Sequence, residues 1–267
     1  MMAVILAAGE GRRFFPLSAY VPKELLPLGR HPIIEWVVRE VMSAGIEEII
    51  LVSAARKAAL ERLFRRLADE YGFRARIVRQ DVPRGTADAV LRARCHLHEP
   101  FFVYYADEVW LGESRARQLR AAYESLGCPA VLLPVFRVED QGLLARLSAV
   151  EVREEVSSGL YSISRVIEKP LPGSAPSELA VVSGIVLEPP MLEEIAVAVK
   201  EAAADRGEVY LTDAISWLLH RWPVYALEPK GEWVDVGTIE RYPEAFVRVA
   251  LAEGGEEFRG FLKSVVQ

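Results

Sequence analysis

The 267-residue chain carries 32 Lys and Arg against 38 Asp and Glu, a net charge of −6. No overall basic field advertises nucleic-acid binding, so anionic ligands must be met by local cations. Half of the residues are apolar, enough for the core of one large α/β domain, and no apolar run is long enough to cross a bilayer.

The first apolar run, Ala3–Ala8, predicts a buried strand beginning almost at the N-terminus. It leads into Gly9-Glu10-Gly11-Arg12-Arg13, and ten residues beyond Arg13 stands Lys23, within Pro22-Lys23-Glu24-Leu25. Glycines let a backbone approach phosphates closely, while arginine and lysine neutralise phosphate charge. A strand, a cationic glycine loop and a second fixed cation suggest a triphosphate held for reaction. The loop is not a Walker loop, because no Gly-Lys-Ser/Thr follows Gly11. Nor is it the dinucleotide fingerprint, because Phe14 stands where a third glycine belongs.

Helical patterns over Ile33–Ala44 and Lys57–Tyr71 alternate with strand-like runs at Glu48–Ala54 and Arg74–Arg79. Gln80, just after that last strand, offers a donor and an acceptor that match the imide edge of uracil or thymine. Gly85 leaves room for a planar base before the helix expected at Ala87–His96. The next run, Phe101–Ala106, ends at Asp107-Glu108, where strand ends meet ligands in such sheets. A hard carboxylate there suits Mg2+, with Glu108 assisting or facing solvent. A helix is expected at Ser114–Ser125 and a strand at Ala130–Val135. Then Ser148–Glu154 and Leu160–Glu168 flank a hairpin-like break, which predicts an antiparallel insert.

Glu168-Lys169-Pro170 closes that insert with a carboxylate and an ammonium fixed before a proline. One strand is expected over Leu179–Leu187, where Gly184 marks a close backbone approach or a bulge. Asp235 is a second lone aspartate between apolar residues, and a helix at Glu240–Glu253 is broken by Gly254-Gly255. The expected fold is α/β and Rossmann-like: a doubly covered, mostly parallel mixed sheet with a small antiparallel insert. It is one domain, 1–267, with a C-terminal helical segment at 238–267. Cys95 and Cys128 lie far apart without metal spacing, and no signal peptide is visible, which predicts a cytoplasmic setting. His31, His96, His98 and His220 also lack metal spacing.

Gly9–Arg13 with Pro22-Lys23 resembles the signature of the sugar-1-phosphate nucleotidyltransferases, roughly Gly-x-Gly-Thr-Arg followed by Pro-Lys. Arg12 replaces the usual threonine. Gly207–Ile215 resembles Gly-Glu-Ile-x-Leu-Thr-Asp-Ala-Ile, a segment of the bacterial-type UTP–glucose-1-phosphate uridylyltransferase branch, and Leu160–Pro170, Pro22–Pro27 and Ala245-Phe246 agree with it. The resemblance runs from residue 3 to about residue 250.

It implies a nucleotide-diphospho-sugar transferase fold, with Arg13 and Lys23 catalytic and with Ala8, Gly9, Gly11, Gln80 and Gly85 on the nucleotide. It places Gly142, Glu168, Lys169 and Gly184 on the sugar phosphate, and Mg2+ on Asp107 and Asp235. The implied substrates are UTP and glucose 1-phosphate, and the implied assembly is a homo-oligomer, a dimer or a tetramer. Thymine and other sugars stay open, and Gly85–Val90 also resembles a loop of adenylyl-transferring relatives. No left-handed β-helix repeat follows, which argues against the usual adenylyl enzymes. A non-catalytic nucleotide-sugar sensor would be expected to lose Arg13, Lys23 or a metal aspartate, and this chain keeps all four.

Overall fold

Met2–Leu6, five buried residues without a polar side chain, form strand β1. The computed structural model describes residues 1–265, and the side chains of all of these except 203–206. After β1 come the short β2 (Pro27–Leu28) and β3 (His31–Pro32), then α1 (Ile33–Ser43), β4 (Glu48–Ser53), α2 (Ala58–Tyr71) and β5 (Arg74–Arg79). The middle of the chain holds α3 (Thr86–Arg92), β6 (Phe101–Tyr105), β7 (Glu108–Leu111), α4 (Arg115–Leu126), β8 (Val131–Arg137) and α5 (Gln141–Leu144). Next are β9 (Ser148–Ser157), β10 (Leu160–Glu168), β11 (Leu179–Val181) and β12 (Ile185–Leu187). The chain continues through α6 (Met191–Arg206), α7 (Leu211–Leu218), β13 (Val224–Leu227), β14 (Glu232–Asp235) and α8 (Tyr242–Val265).

The main sheet is mixed. β5, β4, β1 and β6 run parallel in that spatial order. β12 then lies antiparallel between β6 and β8, and β13 returns parallel to β8. Beyond it β10 and β9 pair antiparallel, and β11 bridges β9 back to β8. The last five strands, β8, β13, β10, β9 and β11, therefore close a hydrogen-bonded circuit that leaves no open edge at that end.

Along β1, Met2, Val4 and Leu6 enter one apolar cluster while Ala3 and Ile5 enter the other, and β4 and β6 alternate in the same way. Burial on both faces is why these strands read as unbroken apolar runs. Helices α3, α6 and α7 cover one face, and α1, α2 and α4 cover the other. Each large apolar side chain taken fully out of water contributes roughly 1.5–3 kcal/mol, so a core of this extent needs no covalent staple. Cys95 and Cys128 are both exposed and free.

One expected strand is divided. The run Leu179–Leu187 is two strands, because Gly184 adopts a φ of 104° and lets the chain pass from β11 beside β8 and β9 to β12 beside β6. The expected break at Gly254-Gly255 is present: Gly255 leaves helical geometry (φ 56°, ψ −143°) and separates the two helical stretches of α8, the second of which runs to Val265.

Candidate active site

The glycine loop leaves the carboxyl end of β1 and tightens at Gly11, whose left-handed φ of 70° opens a short 3-10 turn at Arg12–Phe14. Phe14 is buried and meets the Tyr242 ring edge-on at 6.1 Å, which anchors the turn. The two guanidiniums diverge from there. Arg12 is 81% exposed and donates to Glu10 at 2.7 Å. Arg13, itself exposed, extends to the other side toward Gly237.

A second turn at Lys23–Leu25 places Lys23 on Asp107, to whose Oδ2 its ammonium donates. Glu24 points the other way and accepts from Lys57 at 2.7 Å, while the same Lys57 ammonium donates to the Ala7 carbonyl at 2.6 Å. Arg56 donates to the Ala8 carbonyl at 2.7 Å. Arg56 and Lys57 thus tie the glycine loop in place, and Lys57 joins it to the Lys23 turn. Burial depresses the Lys57 pKa, opposed by Glu24. Sequence reasoning missed both residues. Nothing local separates them from Arg62, Arg65 and Arg66, and only the packing of α2 shows which cations turn inward.

The second aspartate arrives on a separate ribbon. β7 and β14 pair antiparallel with Glu108 opposite Asp235, which brings Asp235 alongside Asp107. The ribbon rests on a small core of Val109, Val234, Val236, Ala245 and Val249. Asp235 Oδ1 accepts the Gly237 N–H at 2.8 Å. A methyl group on Gly237 would lie 3.0 Å from Asp235 Oδ1, 3.4 Å from an Arg13 Nη and 3.6 Å from Asp107 Oδ2. The missing side chain leaves a cradle bordered by two carboxylates and a guanidinium. Burial pushes the Asp107 carboxyl up, but Lys23, then Arg13 and Lys57, hold it below its ordinary value. Among the described residues no three His, Cys, Asp or Glu side chains form a metal cage. A cation in the cradle would therefore complete its shell with ligand phosphates, as Mg2+ does. Glu108 turns away to accept the Ser183 N–H at 2.7 Å, and burial raises its pKa to about 7.

The expected base loop is closed by its own residues. Gln80 donates to the Gly85 carbonyl at 3.0 Å and to Asp88 at 2.7 Å, so its amide donors are engaged inside the loop and its carbonyl remains for a ligand. Gly85, at a φ of 93°, presses on Val209: a Cβ there would lie 2.1 Å from the Val209 carbonyl oxygen. Ala87 and Val209 extend this contact, the Ala87 N–H donating to Val209 O and the Val209 N–H to Arg84 O. Arg79, just before Gln80, donates twice to Glu61 of α2 at 3.0 Å. Those hydrogen bonds hold the Glu61 carboxyl below its ordinary value. A carboxylate with a depressed folded pKa adds stability above its unfolded pKa and loses it as pH falls through the folded one. Glu61→Gln is therefore expected to lower the urea midpoint at pH 7, with the gap to wild type closing below about pH 4. A gap that did not narrow as pH fell below about 4 would place the effect elsewhere.

Glu168 and Lys169 stand in a cleft of about 670 Å3 lined also by Pro83, Glu208 and Tyr210. Glu168 Oε2 accepts from the Ser148 hydroxyl and, at 2.5 Å, from Thr212. Burial works against the Lys169 ammonium, but hydrogen bonding to Tyr210 and the Glu168 charge outweigh it and raise its pKa. Gly142 lies on the exposed turn α5, where its N–H donates to the capping Asp140 carboxylate at 2.8 Å. Gly184 is buried against Tyr104 and Leu119 and donates to the Val103 carbonyl at 2.7 Å. These two glycines thus serve the local backbone, while Arg13, Lys23, Asp107 and Asp235 converge on one point.

A cationic glycine loop beside paired carboxylates, next to a cleft with its own lysine, is an arrangement able to neutralise phosphate groups. The chain belongs to the nucleotidyl transferase family, whose family model matches residues 2–251. It is 33% identical over 261 residues to the UTP–glucose-1-phosphate uridylyltransferase of Streptococcus pneumoniae, a match covering 88% of this chain and 85% of that one. Among solved structures it superposes on a UDP-glucose pyrophosphorylase complexed with UDP-glucose with a TM-score of 0.83 at 28% identity, covering 92% and 97% of the two chains. A UTP-bound UGPase from Acinetobacter baumannii gives a TM-score of 0.84 at 28% identity, covering 100% and 99%.

Proposed function

We propose that the chain is a Mg2+-dependent uridylyltransferase that converts UTP and α-D-glucose 1-phosphate to UDP-glucose and pyrophosphate. The observation that carries this reading is the convergence of Arg13, Asp107 and Asp235 around Gly237, with Lys23 bound to Asp107. A phosphate oxygen of the sugar phosphate attacks the α-phosphorus of UTP, and pyrophosphate leaves on the opposite side. The nucleophile is already an anion, so neither a general base nor a covalent intermediate is required. What the protein supplies is the approximation of two repelling anions and the neutralisation of developing charge. Arg13 meets the leaving pyrophosphate over the Ala8–Gly11 loop, Lys23 the α-phosphate, and Lys169 the sugar phosphate. Asp107 and Asp235 would hold Mg2+, which would supply further neutralisation of the transferring group.

The activity is carried by one domain over residues 1–267, working in a reducing cytoplasm as a dimer or tetramer. Among the described residues no helix is long and apolar enough to cross a membrane. A pyrophosphate-release matrix of UTP, dTTP, ATP and GTP against several sugar 1-phosphates tests the reading. UTP with glucose 1-phosphate is expected to give the highest kcat/KM, and Gln80→Ala to narrow the preference for pyrimidines. A maximum with ATP would assign the Gly85–Val90 loop to adenine.

A further inference from the structure

We propose that Tyr210 is a positioning residue for Lys169, its ring fixing where the ammonium meets the phosphate of the sugar substrate; this rests on the uridylyltransferase reading above. The Lys169 ammonium lies 3.8 Å from the centroid of the Tyr210 ring. Among the described residues Lys169 is the only non-glycine residue with positive φ, at 46°. Its N–H donates to the Leu147 carbonyl at 3.0 Å. The backbone is thus set in a strained geometry, yet the side chain ends in a point charge on a flexible four-carbon stem. Glu168 alone does not hold that charge tightly: its Oε1 is 3.3 Å from the ammonium, while Oε2 is taken by Ser148 and Thr212. An aromatic face restricts the remaining freedom, while the N–H bonds that Glu168 and Tyr210 do not engage can turn to a phosphate.

The turn that carries the ring is held on two sides. The Leu211 N–H donates to the Thr86 hydroxyl at 2.8 Å, which ties the turn to the loop bearing Gly85. Thr212 donates to Glu168 at 2.5 Å, which ties it to the strand that ends at Lys169. Packing does not demand an aromatic here. Leu211, Ala214 and Ile215 are buried, whereas Tyr210 is half-buried and lines the cleft. It also occupies the one unspecified position of the segment Gly-Glu-Ile-x-Leu-Thr-Asp-Ala-Ile.

The test compares wild type, Tyr210→Leu and Tyr210→Phe as full-length chains, with initial rates measured against glucose 1-phosphate at saturating UTP and the reverse. Tyr210→Leu is expected to raise KM for glucose 1-phosphate by roughly 2- to 30-fold, the range of a cation–π contact, and to leave KM for UTP within about twofold. Tyr210→Phe, which keeps the ring, is expected to restore the low KM. In a Lys169→Met background the Tyr210→Leu effect should vanish, since two residues acting through one contact are not additive. The proposal is overturned if both KM values rise together, if Phe is as damaging as Leu, or if the effects of Leu and Met add. If wild type transferred no nucleotidyl group to glucose 1-phosphate, the functional reading would fall and this inference with it.

Discussion

Asp107→Asn is expected to lower kcat by on the order of 100-fold or more at saturating substrates, the usual cost of removing one charged contact to the transferring group. The carboxylate borders the Gly237 cradle and is kept ionised by Lys23, Arg13 and Lys57. Asparagine preserves the shape but removes the charge that a divalent cation requires. The same change leaves the mostly buried Lys23 without its anionic partner, at a cost of about 1–3 kcal/mol. A domain of this size typically withstands that, so the variant is expected to unfold at a lower denaturant concentration but still cooperatively. Steady-state rates across a Mg2+ titration, run beside urea unfolding, separate the two effects. Near-wild-type turnover at limiting Mg2+ would remove Asp107 from the metal site.

Legibility in the sequence followed the range of the interactions. The inner parallel strands were plain because burial on both faces leaves an unbroken apolar run, and Glu48–Ser53 falls within a residue of expectation. The edge strand Arg74–Arg79 also matches, although none of its residues is buried. The helices α6 and α7 went unassigned. α7 is only eight residues long, and the alanine-rich α6 has a weak periodic contrast between its faces. Strand β14 is four residues long and is held by β7, more than a hundred positions earlier, so no local pattern announces it.

The candidate site divides in the same way. Arg13, Lys23, Asp107 and Asp235 stood out because each is a charge at the end of an apolar or glycine-rich segment, an arrangement packing alone does not explain. The supporting groups could not be found by that test. Lys57 is 4% exposed, yet in sequence it opens an arginine-rich helix that reads as solvated. Gly85 has a reason that lies outside any base contact: its missing side chain is required by the Val209 backbone. Gln80 likewise spends its donors on Gly85 and Asp88, which moves any base contact to its carbonyl.

The adjacent arginines of the glycine loop should separate sharply in function. Arg13→Ala is expected to lose about 3–4 kcal/mol of transition-state stabilisation, or 10²- to 10³-fold in kcat/KM, as for a lost charge-bearing donor. Its guanidinium borders the cradle shared by Asp107 and Asp235, and its carbonyl accepts the Ile239 N–H at 3.4 Å, so the loop and the β14 end are placed together. Arg12 faces solvent and pairs with Glu10, a contact that a rim position can lose with little effect. Arg12→Thr is therefore expected to stay within roughly threefold of wild type, chiefly through encounter with the charged nucleotide, and to show a weaker dependence on salt. Measuring kcat/KM for both variants at two ionic strengths decides between them. Equal losses, or a larger one at Arg12, would mean that the loop turns over on binding the triphosphate: Arg12 would leave Glu10 for the phosphates, and the Arg13 geometry would describe only the free chain.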